Sequence, residues 1–159
     1  MKNVKLDFYT EDDLQFLHEM LSDEQSVKYL EGMYTTELYQ SKIRLLSRLE
    51  DQKWEYRRRF VIKDAETGIP VGEVSGRTMS EPSTMDILIV IHPSFRGKGY
   101  AKSGTYEFIK YIIDTVPEIT KFRMEINSSN VASLEVAKSL EFDLIEFKEH
   151  MQYWEKDVR

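Results

Sequence analysis

The run Ile87-Leu88-Ile89-Val90-Ile91-His92-Pro93-Ser94-Phe95-Arg96-Gly97-Lys98-Gly99-Tyr100-Ala101 decides how this chain is read. Aliphatic and β-branched residues from about Met85 to Ile91 predict a strand, and Pro93 stops it. The strand is apolar on both faces, the pattern of a central strand covered from two sides. A basic, glycine-containing turn follows. Lys102 to Thr115, with Tyr106, Phe108, Ile109, Ile112 and Ile113, then reads as a helix, and Pro117 ends the region. Backbone N–H groups at a helix start lack intrahelical partners, and the helix dipole adds partial positive charge there. With Arg96 and Lys98 beside them, the turn is a candidate seat for an anion.

Two phosphate-binding loops fail on spacing. A P-loop needs G-x-x-x-x-G-K-[ST], but Ala101 precedes Lys102-Ser103 and no glycine stands five residues earlier. A dinucleotide fingerprint needs G-x-G-x-x-G. Gly97 and Gly99 supply two glycines, and Lys102 occupies the third position.

Working outward, Lys5-Leu6-Asp7-Phe8-Tyr9 alternates and predicts a first strand. Thr10 with Asp13 three residues on predicts a capped helix carrying Leu14, Phe16, Leu17, Met20 and Leu21. Ser22 to Tyr34 is irregular. Thr36 is placed to cap a second helix running to about Asp51. Phe60-Val61-Ile62 and Pro70 to Gly76 form a hairpin about the turn Asp64 to Gly68. After the central segment, Lys121 to Ile126 alternates as a strand, and Val131, Leu134, Val136, Ala137 and Leu140 mark a short helix. Phe142 to Phe147 and Met151 to Trp154 form a last hairpin. The order β-α-α-β-β-β-α-β-α-β-β is an α+β arrangement, expected as a single domain over residues 1–159.

Composition bounds the function. At 41% hydrophobic and 31% charged residues, the chain is globular. It has no cysteine, which excludes disulfides, thiolate metal sites and a cysteine nucleophile. No apolar run approaches the roughly 20 residues of a membrane span, and the N-terminus lacks a signal-peptide core. A cytoplasmic location with no membrane partner is expected. A net charge of -6 argues against nucleic acid as a partner. Arg57-Arg58-Arg59, the one basic run, reads as a solvated approach to the following strand. His18, His92 and His150 have no metal-ligand spacing, so no metal is expected.

Arg96-x-x-Gly99-x-Ala101 resembles the Q/R-x-x-G-x-G/A loop of the GNAT N-acetyltransferases, and the element order is similar to theirs from end to end. A second motif lies downstream. Asn130, Ser133, Val136, Ala137 and Phe142 match the family's N-x-x-A/S-x-x-L/V-Y/A-x-K-x-G-F segment. Asp86-Ile87, Pro93 and Gly97 to Ala101 resemble the RimJ/RimL-like branch. There are three departures. Lys102-Ser103-Gly104 stands for T-E-A. Glu141 replaces the glycine before Phe142, so a different exit from that helix is expected. Ala137 occupies the position where many relatives carry a general-acid tyrosine.

The resemblance implies an acyl-CoA N-acyltransferase fold, with a mixed sheet of about seven strands and about four helices. It implies acetyl-CoA as cofactor and direct transfer of the acetyl group to a primary amine within a ternary complex. The acceptor would be a protein N-terminus, a polyamine or a small metabolite, and a homodimer is compatible with the fold. The pantetheine arm would lie on the backbone of Ile89, Val90 and Ile91, whose N–H groups are the implied oxyanion donors. The pyrophosphate would be surrounded by Arg96, Gly97, Lys98, Gly99, Tyr100 and Ala101, the two glycines letting the main chain approach closely. Asn130 would contact the pantetheine region or cap the helix it precedes. Ser133 is the candidate acid. The candidate bases are Glu125, then Asp86, then Glu73. Ala137 leaves open a non-catalytic acyl-CoA-binding module on the same fold. A small RNA-associated protein is a further alternative, which the charge disfavours.

Overall fold

The computed structural model describes residues 1–52 and 57–158. The elements are β1 (Val4–Asp7), α1 (Leu14–Leu21), α2 (Leu38–Asp51), β2 (Arg57–Asp64), β3 (Pro70–Thr78), β4 (Thr84–Ile91), α3 (Tyr100–Thr115), β5 (Lys121–Asn127), α4 (Val131–Ser139), β6 (Asp143–Lys148) and β7 (Met151–Asp157). The strands form one sheet in the order β1-β2-β3-β4-β5-β7-β6. Every neighbouring pair is antiparallel except β4 and β5, which run parallel. The sheet has seven strands and is mixed, as expected from the sequence.

Two cores lie on opposite faces of the sheet. On one, α3 and α4 bury Phe108, Ile109, Ile112, Leu134, Val136 and Ala137 against Phe60, Ile62, Val74, Met85, Phe122 and Met124. Helix α3 comes close enough at Gly104 that a Cβ there would lie 2.5 Å from Ile62 Cδ1, which explains glycine at that departure from the family pattern. On the other face, Phe16, Leu17, Met20 and Leu45 of α1 and α2 cover Tyr9, Val61 and Val90. These two helices cover β4 only at its Val90 end, and Leu88 is 42% exposed. The double coverage expected of β4 is therefore incomplete, and the gap is where a ligand can enter. Among the described residues no helix is long and apolar enough to cross a membrane.

Local signals explain most boundaries. The Thr10 N–H donates to Asp13 Oδ2 at 2.8 Å and the Asp12 N–H to Thr10 Oγ1 at 3.3 Å, so the capping box forms and a short 3-10 turn leads into α1. Helix α2 begins after Glu37, and Thr35, not Thr36, supplies a side-chain acceptor to the Glu37 N–H at 3.0 Å. The arginine run is not a solvated approach but the start of β2. Arg57 and Arg59 reach Asp51 at 3.2 and 3.5 Å, and Arg59 reaches Glu73 at 3.7 Å.

Glu73 is the centre of a buried ionic cluster. Arg48 Nε lies 2.6 Å from Glu73 Oε1, and Tyr9 donates its hydroxyl proton to the same oxygen at 2.7 Å. Burial works to raise the Glu73 pKa. Arg48, Arg59 and the Tyr9 hydrogen bond outweigh it and hold the carboxyl below its ordinary value. Breaking such a pair leaves an uncompensated buried charge, so it fixes α2 and the β1–α1 connection onto β3.

The exit from α4 keeps the usual turn despite Glu141. The Phe142 N–H bonds the Ala137 carbonyl at 2.9 Å and the Glu141 N–H the Lys138 carbonyl at 3.1 Å, the two bonds of a Schellman cap. Glu141 takes φ 63° to make them, so a non-glycine residue holds the left-handed conformation that glycine would adopt freely. The expected change of exit is thus overturned: the cap's hydrogen bonds outweigh the strain. Glu141→Gly is expected to stabilise the chain by about 1 kcal/mol, measured by urea denaturation. An equal or lower midpoint would show that the turn costs nothing as it stands.

Candidate active site

The site is made by a failure of pairing. Strands β4 and β5 pair only through Thr84, Met85 and Asp86 with Lys121, Phe122 and Arg123. Beyond that rung each stays on its other neighbour. β4 follows β3 to the Gly72–Ile91 pair, and β5 follows β7 to the Asn127–Met151 pair. The sheet therefore opens between Ile87–Ile91 and Met124–Asn127, and β4 presents an unpaired edge to the opening.

The orientation of that edge follows from the ladder. The His92 N–H donates to the Val71 carbonyl at 2.8 Å, towards β3. Antiparallel strands alternate the direction of their backbone groups, so Val90 also turns its N–H and carbonyl to β3, while Ile89 and Ile91 turn theirs into the opening. The Ser26 hydroxyl, which comes from the far side, reaches the Ile91 carbonyl at 3.3 Å. Of the three implied backbone donors, Ile89 and Ile91 are thus oriented for the role. Val90 contributes its side chain to the core beneath α1 and α2 instead.

The basic turn follows. His92 caps a short 3-10 turn, Pro93–Phe95, through its Nδ1 and the Ser94 N–H at 3.1 Å. Gly97 and Gly99 then take φ 72° and 89°, and Gly99 is the N-cap of the 16-residue α3. The helix begins two residues before the Lys102 start that the sequence predicts, so the first-turn N–H groups belong to Tyr100, Ala101 and Lys102. The Tyr100 ring is buried and its hydroxyl donates to Asp64 Oδ2 at 2.6 Å. Lys98 lies with Nζ 5.6 Å over the Phe95 ring. Arg96 is already engaged. Its guanidinium donates to Asp23 and to Ser26, and reaches Gln25 Oε1 at 3.4 Å. Partial desolvation would raise the Asp23 pKa, but hydrogen bonds from Arg96 and Ser26 outweigh it and hold the carboxyl low. At this loop the main-chain N–H groups at the start of α3 are therefore freer to meet an anion than the Arg96 charge is.

Two cavities meet at the opening. The larger, about 730 Å³, runs from the start of α3, lined by Arg96, Gly97, Gly99, Tyr100, Ala101 and Lys102, past Ile89–Ile91 to α4. The smaller, about 420 Å³, lies against Ile87, Leu88, Met124, Glu125, Ile126 and Met151. Ser26, Lys28, Tyr29, Ile89, Val90, Asn130 and Ser133 wall both. A long ligand with a phosphate end at α3 and a reactive end at the opening fits the larger space, and a second molecule can approach that end through the smaller. A pantetheine-bearing nucleotide has this shape, and the free edge of β4 offers its amide groups partners.

Not every candidate residue is brought to the junction. Ser133 walls both cavities. Asn130 does too, and its Oδ1 accepts the Ser133 N–H at 3.3 Å, so it caps α4 while lining the site. Glu125 walls the smaller cavity, 3.5 Å from Arg123 Nη2. Asp86 walls neither. It sits at the last β4–β5 rung, opposite Arg123, with Oδ1 buried and without a hydrogen-bond partner among the described residues. Burial and then repulsion from Glu125 push its pKa up to about 6, against the pull of Arg77 and Arg123. Glu73 is removed as a base by its ionic cluster. Lys98 is absent from the walls of the larger cavity, and Lys102 is present. Sequence reading missed Ser26, Lys28 and Tyr29, which lie in the irregular stretch between α1 and α2, where no periodicity assigns a side chain to a face.

The two roles of Asn130 can be separated. Asn130→Asp keeps a good N-cap oxygen and removes the amide donor. Unchanged thermal stability is expected, with CoA binding weakened by about tenfold through the lost donor and the added negative charge. Equal CoA affinity by calorimetry would leave Asn130 with capping alone.

The family model for the acetyltransferase (GNAT) domain matches residues 3–143. No curated protein sequence matches significantly. Among solved structures, RimL, a ribosomal-protein N-acetyltransferase in complex with coenzyme A, is 16% identical with a TM-score of 0.84, covering 99% of this chain and 96% of its own. A spermidine N-acetyltransferase from Vibrio cholerae, with CoA and spermine, is 18% identical with a TM-score of 0.75, covering 96% and 92%. The aminoglycoside acetyltransferase AAC(6')-Ib with ribostamycin and CoA is 19% identical with a TM-score of 0.77, covering 98% and 93%. At these identities the likeness establishes the fold.

Proposed function

Because this chain belongs to the GNAT acetyltransferase family, we propose that it moves an acetyl group from acetyl-CoA directly to a primary amine. The observation that carries the reading is the β4–β5 opening, where a long cavity headed by the α3 N-terminus meets a second one carrying Glu125. The thioester supplies the activated carbonyl when bound. What the chain does is hold, orient and move protons. The main chain of Gly97 to Ala101 and the side chain of Lys102 hold the pyrophosphate. The N–H groups of Ile89 and Ile91 orient the pantetheine arm and face the carbonyl oxygen, where negative charge develops. Glu125 takes the proton that the attacking amine must lose, directly or through water. Asp86, one rung from the opening, is the reserve for that proton.

The smaller cavity sets the acceptor. Glu31 and Glu125 place two carboxylates among Leu30, Leu88 and Met151, with Lys28 at the junction. That lining favours an amine on a partly apolar stem. RimL, the spermidine enzyme and the aminoglycoside enzyme carry three different acceptors on this fold, so peptide, polyamine and sugar amines are the classes to test. The RimJ/RimL-like assignment, a cytoplasmic location and self-association belong to the same proposal. Thiol release from acetyl-CoA across a panel of such amines tests it. Turnover on at least one class is expected. CoA binding with no turnover on any, unaltered by Glu125→Gln, would make the chain a binding module.

A further inference from the structure

The departing sulfur needs a proton, and the helix that usually supplies one does not. Ala137 has no hydroxyl and is fully buried in the α4 core. The reaction takes place where the cofactor cavity opens on the acceptor cavity, so a side chain serving the sulfur must wall both. Seven residues do. Ile89 and Val90 carry no side-chain proton to give, and the Asn130 amide is not an acid. The Ser26 hydroxyl is committed between Arg96 and the Ile91 carbonyl. Lys28, Tyr29 and Ser133 remain.

Matching of acidity ranks these three. A thiol titrates near 8.5, a free phenol near about 10 and a free ammonium near about 10.4, whereas an aliphatic hydroxyl ionises far above all of them. A proton donor works best when its acidity is close to that of the group it serves. By residue type a phenol and an ammonium are acids of that order and an aliphatic hydroxyl is not, which favours Tyr29 and Lys28 over Ser133. The two are also coupled in space. Lys28 Nζ lies 5.4 Å over the Tyr29 ring, where its charge favours the phenolate that proton transfer leaves behind. Tyr29 is 38% exposed, so solvent reaches it.

We propose that Tyr29, supported by Lys28, is the general acid of the transfer, supplied by the α1–α2 connection in place of α4. The proposal rests on the acetyltransferase reading. As the amine nitrogen forms its bond to the carbonyl carbon, the C–S bond breaks and its electron pair stays on sulfur. The Tyr29 hydroxyl proton goes to that sulfur. The acceptor's surplus proton leaves to Glu125, and the phenolate recovers a proton from water.

The test compares CoA with desulfo-CoA, which lacks the group Tyr29 serves, by calorimetry on the full chain. Tyr29→Phe is expected to weaken CoA about fivefold while leaving desulfo-CoA unchanged. Lys28→Gln should show a smaller selective loss, and Ser133→Ala none. Equal loss of both ligands makes Tyr29 a packing residue and overturns the proposal. No loss of either removes Tyr29 from the sulfur and overturns it as well. A selective loss in Ser133→Ala instead assigns the proton to serine. With any amine that turns over, kcat of Tyr29→Phe should fall about 10- to 100-fold. A wild-type chain that binds both ligands and acetylates no amine refutes the enzymatic reading separately, since the affinity comparison stands without turnover.

Discussion

Gly99→Val is expected to abolish measurable CoA binding while the sheet and helices stay in place. Gly99 is the N-cap of α3 with φ 89°, and a Cβ built on it would meet nothing nearer than Lys2 Cγ at 3.7 Å. The folded chain therefore has room for a side chain but not the right backbone: a β-branched residue at that φ carries strain of about 1–3 kcal/mol. Room that is open in the free chain is room the phosphates need. Gly99 immediately precedes the first-turn N–H groups of Tyr100, Ala101 and Lys102, so a valine side chain there competes with a phosphate for the start of α3. Arg96 is already neutralised by Asp23, so its charge does not compensate for losing that main-chain contact. A loss of about a hundredfold or more in affinity follows if even two charge-assisted bonds go. The control is Gly68→Val, which imposes similar strain at φ 73° in the β2–β3 turn, with open space around its Cβ. It should lower the melting temperature by a similar amount and leave CoA affinity unchanged. Equal CoA affinity in a folded Gly99→Val chain would show that the α3 start is not the phosphate seat.

The contrast between Gly99 and Arg96 shows what the sequence made legible. Positions whose role is carried by backbone were readable, because the constraint is written in residue type: glycine where φ is positive, proline where a strand stops, a polar cap before a helix. The strand, loop and helix from Met85 to Thr115 and the Asn130 cap are of this kind. Roles carried by long side chains were not. Arg96, read from the sequence as a phosphate ligand, also ties the α1–α2 connection to the loop through Asp23 and Ser26, residues more than 60 positions away. Arg57 and Arg59 looked solvated because their partners, Asp51 and Glu73, meet them only when α2 and β3 pack beside β2. Lys28 and Tyr29 lie in a segment with no period, so nothing assigned them a direction before the fold did. Glu141 is the reverse case. Residue type argued against the usual turn, and the hydrogen bonds of the α4 cap imposed it.

Glu125→Gln is expected to lower kcat by about 10²–10⁴ with CoA affinity unchanged, because Glu125 walls the acceptor cavity and not the cofactor cavity. Asp86→Asn should lower it by less than about tenfold, since Asp86 reaches the amine only through others. The two carboxylates also differ in what they do to stability. Asp86 has its pKa pushed up to about 6, chiefly by burial and next by Glu125. An unfolded aspartate titrates near about 3.9, so between these values the folded chain holds more protons than the unfolded one. Stability therefore falls as pH rises from about 4 to about 6, and above that window Asp86 is a net liability. Asp86→Asn removes it: the melting temperature should exceed wild type at pH 8, and the gap should close near pH 4. Glu125→Gln relieves part of the same repulsion, so the two substitutions together should stabilise less than the sum of their separate effects. A large rate loss in Asp86→Asn with little in Glu125→Gln would exchange their roles, making the buried carboxylate the base through a water at its unpartnered Oδ1. A melting temperature that does not respond to Asp86→Asn at pH 8 would mean that solvent reaches this carboxyl and its pKa is ordinary. The proposed reserve for the proton and the pH-dependent cost in stability both follow from one placement, at the last rung before the strands part.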